Sequence, residues 1–254
     1  MKTLSLIFFN LSYVCIGIIG LFYVEWSWAI FAFWLFFAFG NGTIGHRYFA
    51  HKQFSVGKIK HNIFAVWCTL SAYSTVVYWQ VQHLHHHRHS DTDKDIHSPK
   101  NGFLSALILW PFNKTRIESV FKDRASIVNL HKANSDPIVK TTSEYFILIN
   151  VIFLVALWLV NPLFVLYAGI AFLLEHLRLG LINSITHTDN FPGNYRNHET
   201  KDRSYNNVLL GILSLGFGWH NNHHANPKQL ILTEKWWELD LEGYLGKILS
   251  KDIK

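Results

Sequence analysis

Charge is scarce in this chain. Charged residues make up 16% of its 254 positions, against about a quarter in an ordinary soluble domain. Cysteine is almost missing. Cys15 and Cys68 both sit in apolar stretches, which gives no reason to expect a disulfide and suits the reducing side of a membrane. Only six prolines occur, and no Pro/Ser-rich linker divides the chain, so one domain is expected over residues 1–254. No glutamate has a histidine three residues on, which leaves the soluble di-iron bundle pattern unsupported. The H-E-x-x-H pattern is missing as well, since His198-Glu199 has no second histidine. The last absence is positional. All 23 Lys and Arg lie at Lys2, between Arg47 and Lys140, or from Arg178 onward.

Half of the residues are hydrophobic, and they come in long runs. A net charge of +6 suits a nucleic acid or a membrane surface, and these runs decide for the membrane. Leu4–Val24 is 21 residues without a charge, enough at about 1.5 Å per residue to cross about 30 Å of hydrocarbon. It is longer than the core of a cleaved signal peptide and lacks a small-x-small site, so a retained anchor is expected. Further spans are expected at about 26–45, 145–160 and 163–184. Glu25-Trp26 and Asn161-Pro162 join them into two hairpins. The joining loops carry no Lys or Arg, so the positive-inside rule puts both termini and the polar blocks 46–144 and 185–254 in the cytoplasm. The fold class expected is an all-α integral membrane protein, with four transmembrane helices under a cytoplasmic helical cap. His61–Trp79 is long but interrupted by Ser, Thr and Tyr, and reads as interfacial or re-entrant. Phe103–Phe112 is too short to cross and is expected to lie against the membrane.

Sixteen histidines remain to be explained, six of them within "HLHHHRHSDTDKDIH". Their spacing repeats. His83, His86 and His87 stand at i, i+3 and i+4, and so do His220, His223 and His224, which puts each trio on one helix face. A poly-His tract does not recur 137 residues later with the same spacing. His46 and His51 are five apart and fit a helix end or distorted turn better than a regular helix. Asn183 and His187 are four apart just after the last span. All four groups fall on the same side of the expected membrane. Eight box histidines exceed the four or so ligands of one tetrahedral ion, so two metals are expected. Imidazole suits Zn, Cu, Fe and Ni alike, and the ligand type leaves the metal open.

Other histidines read more plainly. His61, His131 and His198 are taken as satisfied core or surface residues, and His85 and His89 as surface packing between the ligand positions. Glu175 and His176 lie inside the fourth span, where ionisable groups are costly and usually paired or functional. A polar pair or a tunnel lining is expected there. Asp91, Asp93, Asp95, Asp189 and Asp202 are placed to accept imidazole N–H groups, with loop and cap roles as the plain alternative. Arg88 and Lys94 are candidates to meet a headgroup.

These boxes, H-x-x-x-x-H at His46–His51 and H-x-x-H-H at His83–His87 and His220–His224, resemble the membrane fatty acyl desaturases of the stearoyl desaturase type. "GHRYFAHKQF", "LINSITH" and "GWHNNHHANP" match as well, and the resemblance runs from about Gly42 to Asp240. It implies a di-iron centre on His46, His51, His83, His86, His87, His187, His220, His223 and His224, with Asn183 reaching a metal through water. It implies O₂ as co-substrate and a cis double bond introduced into a saturated acyl chain. It also implies a bent tunnel for that chain, which residues such as Phe33, Phe36 and Phe37 are placed to line. Acyl-CoA members carry an Arg-Asp pair where this chain has Val81-Gln82, a Gly-Glu-Gly where it has Gly216-Phe217-Gly218, and a Trp at Gly180. These departures put a CoA-linked substrate in doubt and leave lipid-linked or carrier-linked chains open. No cytochrome-like haem segment is seen, so an external donor of ferredoxin, rubredoxin or cytochrome type is expected to dock on the basic face.

Two other classes compete. A related di-iron hydroxylase, ketolase or decarboxylase would leave oxygen on the product or cleave it. A membrane metal carrier would need ionisable residues through several spans, and three of the four have none in their cores.

Overall fold

The computed structural model describes residues 3–71 and 73–253. Lys2, counted above among the cytoplasmic charges, lies outside them. The first apolar run forms α1 (Thr3–Tyr23), about 32 Å long at 1.5 Å per residue. Ser27 then starts α2 (Trp28–Phe39) by accepting the Ala29 N–H at 3.2 Å. α2 does not stop at Gly45. It runs straight into a π-helix over Gly40–Ala50, and the whole of Trp28–Ala50 is long and apolar enough to cross a membrane.

Next come β1 (Phe54–Ser55), α3 (Lys58–Leu70) and α4 (Val76–His89). The expected single segment 61–79 is therefore two helices. They break over residues 71–75, where Ala72 is outside the described residues, and Thr75 caps α4 by accepting the Tyr78 N–H at 3.1 Å. Short turns at Ser105–Leu109 and Trp110–Phe112 follow. The outer residues Leu104, Ile108 and Leu109 are exposed while Ala106 and Trp110 are buried, as a segment lying flat on a surface requires.

α5 (Lys114–Val120), α6 (Arg124–Asn134) and α7 (Pro137–Glu144) lead into α8 (Phe146–Val160). α8 alone has 15 residues, about 22 Å, which is short of a span. Only together with α7, across a 69° bend, does it make a broken fourth crossing. α9 (Leu163–Ile185) is a full-length apolar helix. The protein is thus mostly helical, with three helices fit to cross a membrane, or four with the bent pair.

α1 and α2 pack on α9 around Phe9, Tyr13, Phe37, Phe146 and Phe172. Phe37 is sealed in this core, Phe36 stacks on Trp67 at 5.6 Å, and Phe33 meets Phe164 at 6.0 Å. None of the three lines the cavity beside the histidines described below.

The C-terminal block folds back over the π-helix. β2 (Asn194–Tyr195) pairs antiparallel with β3 (Asn206–Asn207), followed by α10 (Val208–Leu213), α11 (His220–Ala225) and α12 (Leu241–Leu249). β4 (Asp252–Ile253) pairs antiparallel with β1 and draws the end of the chain beside the first histidine box. Buried charge holds the block in place. Arg47 donates to Asp240 at 2.8 Å and to the Leu230 carbonyl at 2.5 Å. Arg178 donates to Glu175 at 2.8 Å and to Glu242 at 2.9 Å, and Asn41 donates to Glu175 at 3.1 Å. A Cβ at Gly42 would stand 2.0 Å from the Glu242 carboxylate, so this close approach requires glycine.

Candidate metal centre

The first box explains its own spacing. In the π-helix the His51 N–H bonds to the His46 carbonyl at 3.0 Å, an i→i+5 bond, so residues five apart come onto one face. α4 presents His83, His86 and His87, and α11 presents His220, His223 and His224. Asn183 stands in the last turn of α9, and His187 just beyond it. The structure gathers the nine histidines into two sets. His46, His51, His83, His87 and His223 form one, and His86, His187, His220 and His224 the other. Within each set one ring nitrogen per residue lies within 4.8 Å of the others.

In the first set the Nε2 atoms form a chain of close contacts. His46 to His223 is 3.0 Å, His223 to His87 2.9 Å, His87 to His83 3.0 Å and His83 to His51 2.7 Å. A ring nitrogen has one in-plane site, holding either a hydrogen or a lone pair. It can serve one such neighbour, yet His83, His87 and His223 each face two. Four hydrogen bonds among these five atoms are therefore impossible. Lone pairs turned toward a shared cation fit, because two nitrogens about 2.1 Å from a metal and at right angles are about 3.0 Å apart.

The second set is anchored from behind. His86 Nδ1 lies 3.0 Å from both oxygens of Asp95, His187 Nδ1 2.9 Å from Asp91, and His224 Nδ1 2.7 Å from Asp202. A carboxylate only accepts, so each Nδ1 carries the hydrogen and each Nε2 is left as a lone pair. The Nε2 atoms of His86 and His224 are buried without a partner, and those of His187 and His220 are 3.0 Å apart. Buried nitrogen lone pairs aimed at one volume suit a metal ion that prefers imidazole.

Asp91 reaches His187 because its backbone is left-handed, at φ +60°, a conformation that aspartate tolerates better than most residues. Asp93 is exposed, and Asp189 binds Arg203 and Tyr205 instead. Three of the five proposed carboxylates therefore back imidazoles and two do not.

Burial keeps most of these rings neutral. It pushes His51 down to about 3 and His224 to about 4, and drives His83, His87, His220 and His223 well below the usual imidazole range, with neighbouring histidines adding to the effect. For His86 burial also disfavours charge, but the Asp95 carboxylate outweighs it and raises the ring above its ordinary value.

A cavity of about 20 Å³, room for about one water, adjoins both sets. His83, His86 and His220 line it together with Asn183, Gln82, Trp110 and Phe217. Phe217, in the variant Gly-Phe-Gly, packs against His46 at 4.5 Å and lies under the Arg178 guanidinium. His97 went unassigned in the sequence, although it stands in the same fifteen-residue stretch. It is buried on the cavity wall, its ring 5.2 Å from that of His86 and 4.1 Å from Trp110. Its backbone N–H also fixes Asp95 at 3.0 Å.

The remaining histidines behave as expected or are explained locally. His61 bonds Tyr48 and Asp136, and His198 bonds Glu234. His85, expected at the surface, is buried, with both nitrogens engaged by Ser126 and the Lys94 carbonyl, while Nε2 of His89 is buried with Asp123 3.7 Å away. Arg88 pairs with Asp123. Glu175 and His176 part company: Glu175 joins Arg178, while His176 meets the Ile108 carbonyl at 3.3 Å.

The family model described as fatty acid desaturase matches residues 26–241 of this chain. Delta-9 acyl-lipid desaturase 2 of Arabidopsis thaliana is 30% identical over 247 residues, covering 94% of this chain and 78% of that protein. The sn-1 stearoyl-lipid 9-desaturase of Anabaena variabilis is 29% identical, covering 95% of this chain and 82% of the relative. The icosanoyl-CoA 5-desaturase of Limnanthes douglasii is 29% identical over 90% of this chain, which spans 64% of that longer protein.

Proposed function

The chain belongs to the fatty acid desaturase family, and we propose that it introduces a cis double bond into a saturated acyl chain carried on a membrane lipid. Written in full, the reaction consumes O₂, two electrons and two protons, removes two hydrogens from adjacent methylenes and yields two waters. The convergence of nine imidazoles in two sets carries this reading.

An unactivated methylene has neither an acidic proton nor a leaving group, so acid–base residues alone cannot open it. A pair of bound irons supplies the redox chemistry that O₂ activation and hydrogen removal require. In this reading one iron is held by His46, His51, His83, His87 and His223. The other is held by His86, His187, His220 and His224, with Asn183 acting through a water. Asp91, Asp95 and Asp202 hold three of those rings in the required tautomer. Trp110, Leu179 and Phe217 form the apolar part of the adjoining cavity's wall and limit the water it admits.

A lipid-borne substrate is supported by what stands at the positions of the CoA-type charged pair. Val81 is fully buried, Gln82 faces the cavity, and neither offers a charge to a nucleotide phosphate. Relatives named for acyl-lipid substrates agree, and relatives named for acyl-CoA stand against it. The chain works as one domain of four crossings, the third formed by the bent α7–α8 pair, with both termini and the metal centre cytoplasmic. The absence of Lys and Arg from the opposite loops supports that orientation. Electrons come from an external ferredoxin, rubredoxin or cytochrome docking on the basic face.

Expression in a host that lacks polyunsaturated lipids, followed by mass spectrometry of derivatised acyl chains by lipid class, tests the reading. A new double bond in intact glycerolipids is expected. An oxygenated chain without a new double bond would replace desaturation with hydroxylation.

A further inference from the structure

We propose that the two metal positions are electrically unequal, and that Asp91, Asp95 and Asp202 are positioning residues that reserve the higher ionic charge for the position formed by His86, His187, His220 and His224. This rests on the di-iron reading above.

Three of the four rings at that position donate Nδ1–H to a carboxylate at 2.7–3.0 Å. The carboxylates are themselves held. Asp95 accepts the backbone N–H groups of Asp91 at 3.1 Å and His97 at 3.0 Å. Asp91 accepts the Arg203 N–H at 2.7 Å, and Asp202 accepts Thr200 Oγ1 at 2.7 Å and the Ser204 N–H at 3.1 Å. They cannot swing away when the charge in front of them changes.

The five-histidine position has nothing comparable. Among the described residues none of His46, His51, His83, His87 or His223 pairs with a carboxylate, and the Nδ1 atoms of His46 and His223 are buried without a partner. Two cationic groups stand near His46. Arg47 follows it in sequence, and Arg178 lies over the Phe217 ring that packs on His46. Acidic groups do reach those arginines, but they neutralise the guanidiniums rather than the imidazoles.

Negative charge one hydrogen bond behind a ligand makes the imidazole more basic and favours a trivalent over a divalent ion. Five donors against four favour retention at the first position, whereas charge favours oxidation at the second. Affinity and ease of oxidation therefore rank the two positions in opposite orders.

The test uses the full chain reconstituted anaerobically with ⁵⁷Fe(II) and titrated with ferricyanide in half-equivalent steps. Each ferricyanide takes one electron from one Fe²⁺, giving ferrocyanide and Fe³⁺. Mössbauer spectra after each step are expected to show one ferrous signal converted almost wholly before the other begins. Asp202→Asn and Asp95→Asn are expected to shift that signal alone, so that the two convert together. Asp93→Asn removes the same charge from the same loop at an exposed position and is expected to leave the order unchanged. Parallel conversion in the wild-type protein overturns the inference, and so does an Asp93→Asn effect equal to that of Asp202→Asn. The wild-type result decides even if an asparagine variant misfolds. Fewer than two irons per chain overturns the di-iron reading itself, and the inference with it.

Discussion

Arg178 of α9 donates to Glu242 of α12 at 2.9 Å, with both side chains sealed from solvent. This contact ties the end of the chain to the span that carries Asn183, and Arg47 stands 3.9 Å from the same carboxylate. Removing one partner of a buried pair costs about 3–5 kcal/mol where it strands the other charge, and Arg178 keeps its bonds to Glu175, so the cost here is expected to be smaller. Glu242→Ala is expected to lower the melting temperature of detergent-purified protein. Glu242→Gln, which keeps an acceptor oxygen in place, is expected to lower it less. Equal melting of Glu242→Ala and wild type would show that the clamp contributes nothing.

One ligand from each set separates the two ions experimentally. His223→Ala and His220→Ala are each expected to cut bound metal by one ion per chain and to bring desaturation to background. Membrane insertion should be intact in both. His85→Ala, one residue from His86 but with both nitrogens engaged elsewhere, should keep both ions. Metal analysis of the purified proteins checks this, and turnover retained by His223→Ala would contradict its assignment.

Much of this site was legible because local geometry repeats in sequence. Two i, i+3, i+4 trios need only α-helices to present three rings, and α4 and α11 supply them. The His46–His51 spacing pointed away from a regular helix, but nothing in the residues named a π-helix. Asp91, Asp95 and Asp202 were in view only as members of a larger acidic set. Which of them turn inward depends on a left-handed backbone at Asp91 and on loops from another part of the chain. His97 was hidden among its neighbours because no spacing rule singles it out. The shortness of α8 was missed for a different reason. Hydropathy continues through Tyr145, while the helix bends there by 69°.

Gly180 touches the Ser105–Leu109 turn more closely than any side chain allows. A Cβ there would lie 1.8 Å from the Leu107 carbonyl oxygen, a backbone atom that cannot rotate aside. Gly180→Ala must therefore move the turn that holds Trp110 against the cavity. Overpacking of this kind typically costs about 1–3 kcal/mol. Reduced turnover with both metal ions retained is expected, read by activity and metal content on the same preparation. Unchanged activity and melting would mean that the turn yields freely.

Acid should weaken the metal-free protein through the same rings that hold the ions. His51 at about 3 and His224 at about 4, with His83, His87, His220 and His223 also lowered, compare with about 6.5 in an unfolded chain. Between those limits the unfolded state binds more protons, so stability rises with pH and is lost as pH falls below about 6.5. Each such histidine contributes a slope of about 1.4 kcal/mol per pH unit inside its window. Asp95 and Asp202 are lowered too, because His86 and His224 outweigh the effect of burial. Their contribution is present above about 3.9 and fades as pH falls through lower values, so it adds to the loss only in stronger acid. Thermal melts of stripped protein from pH 8 to 5 are expected to fall below about pH 6.5, where the lowered histidines outnumber His86 and Glu242, whose raised values oppose part of the loss. Bound metal should steepen the fall, since protons then compete with the ions for the same Nε2 lone pairs. A melting temperature independent of pH across that range would mean that these rings are not held neutral by burial.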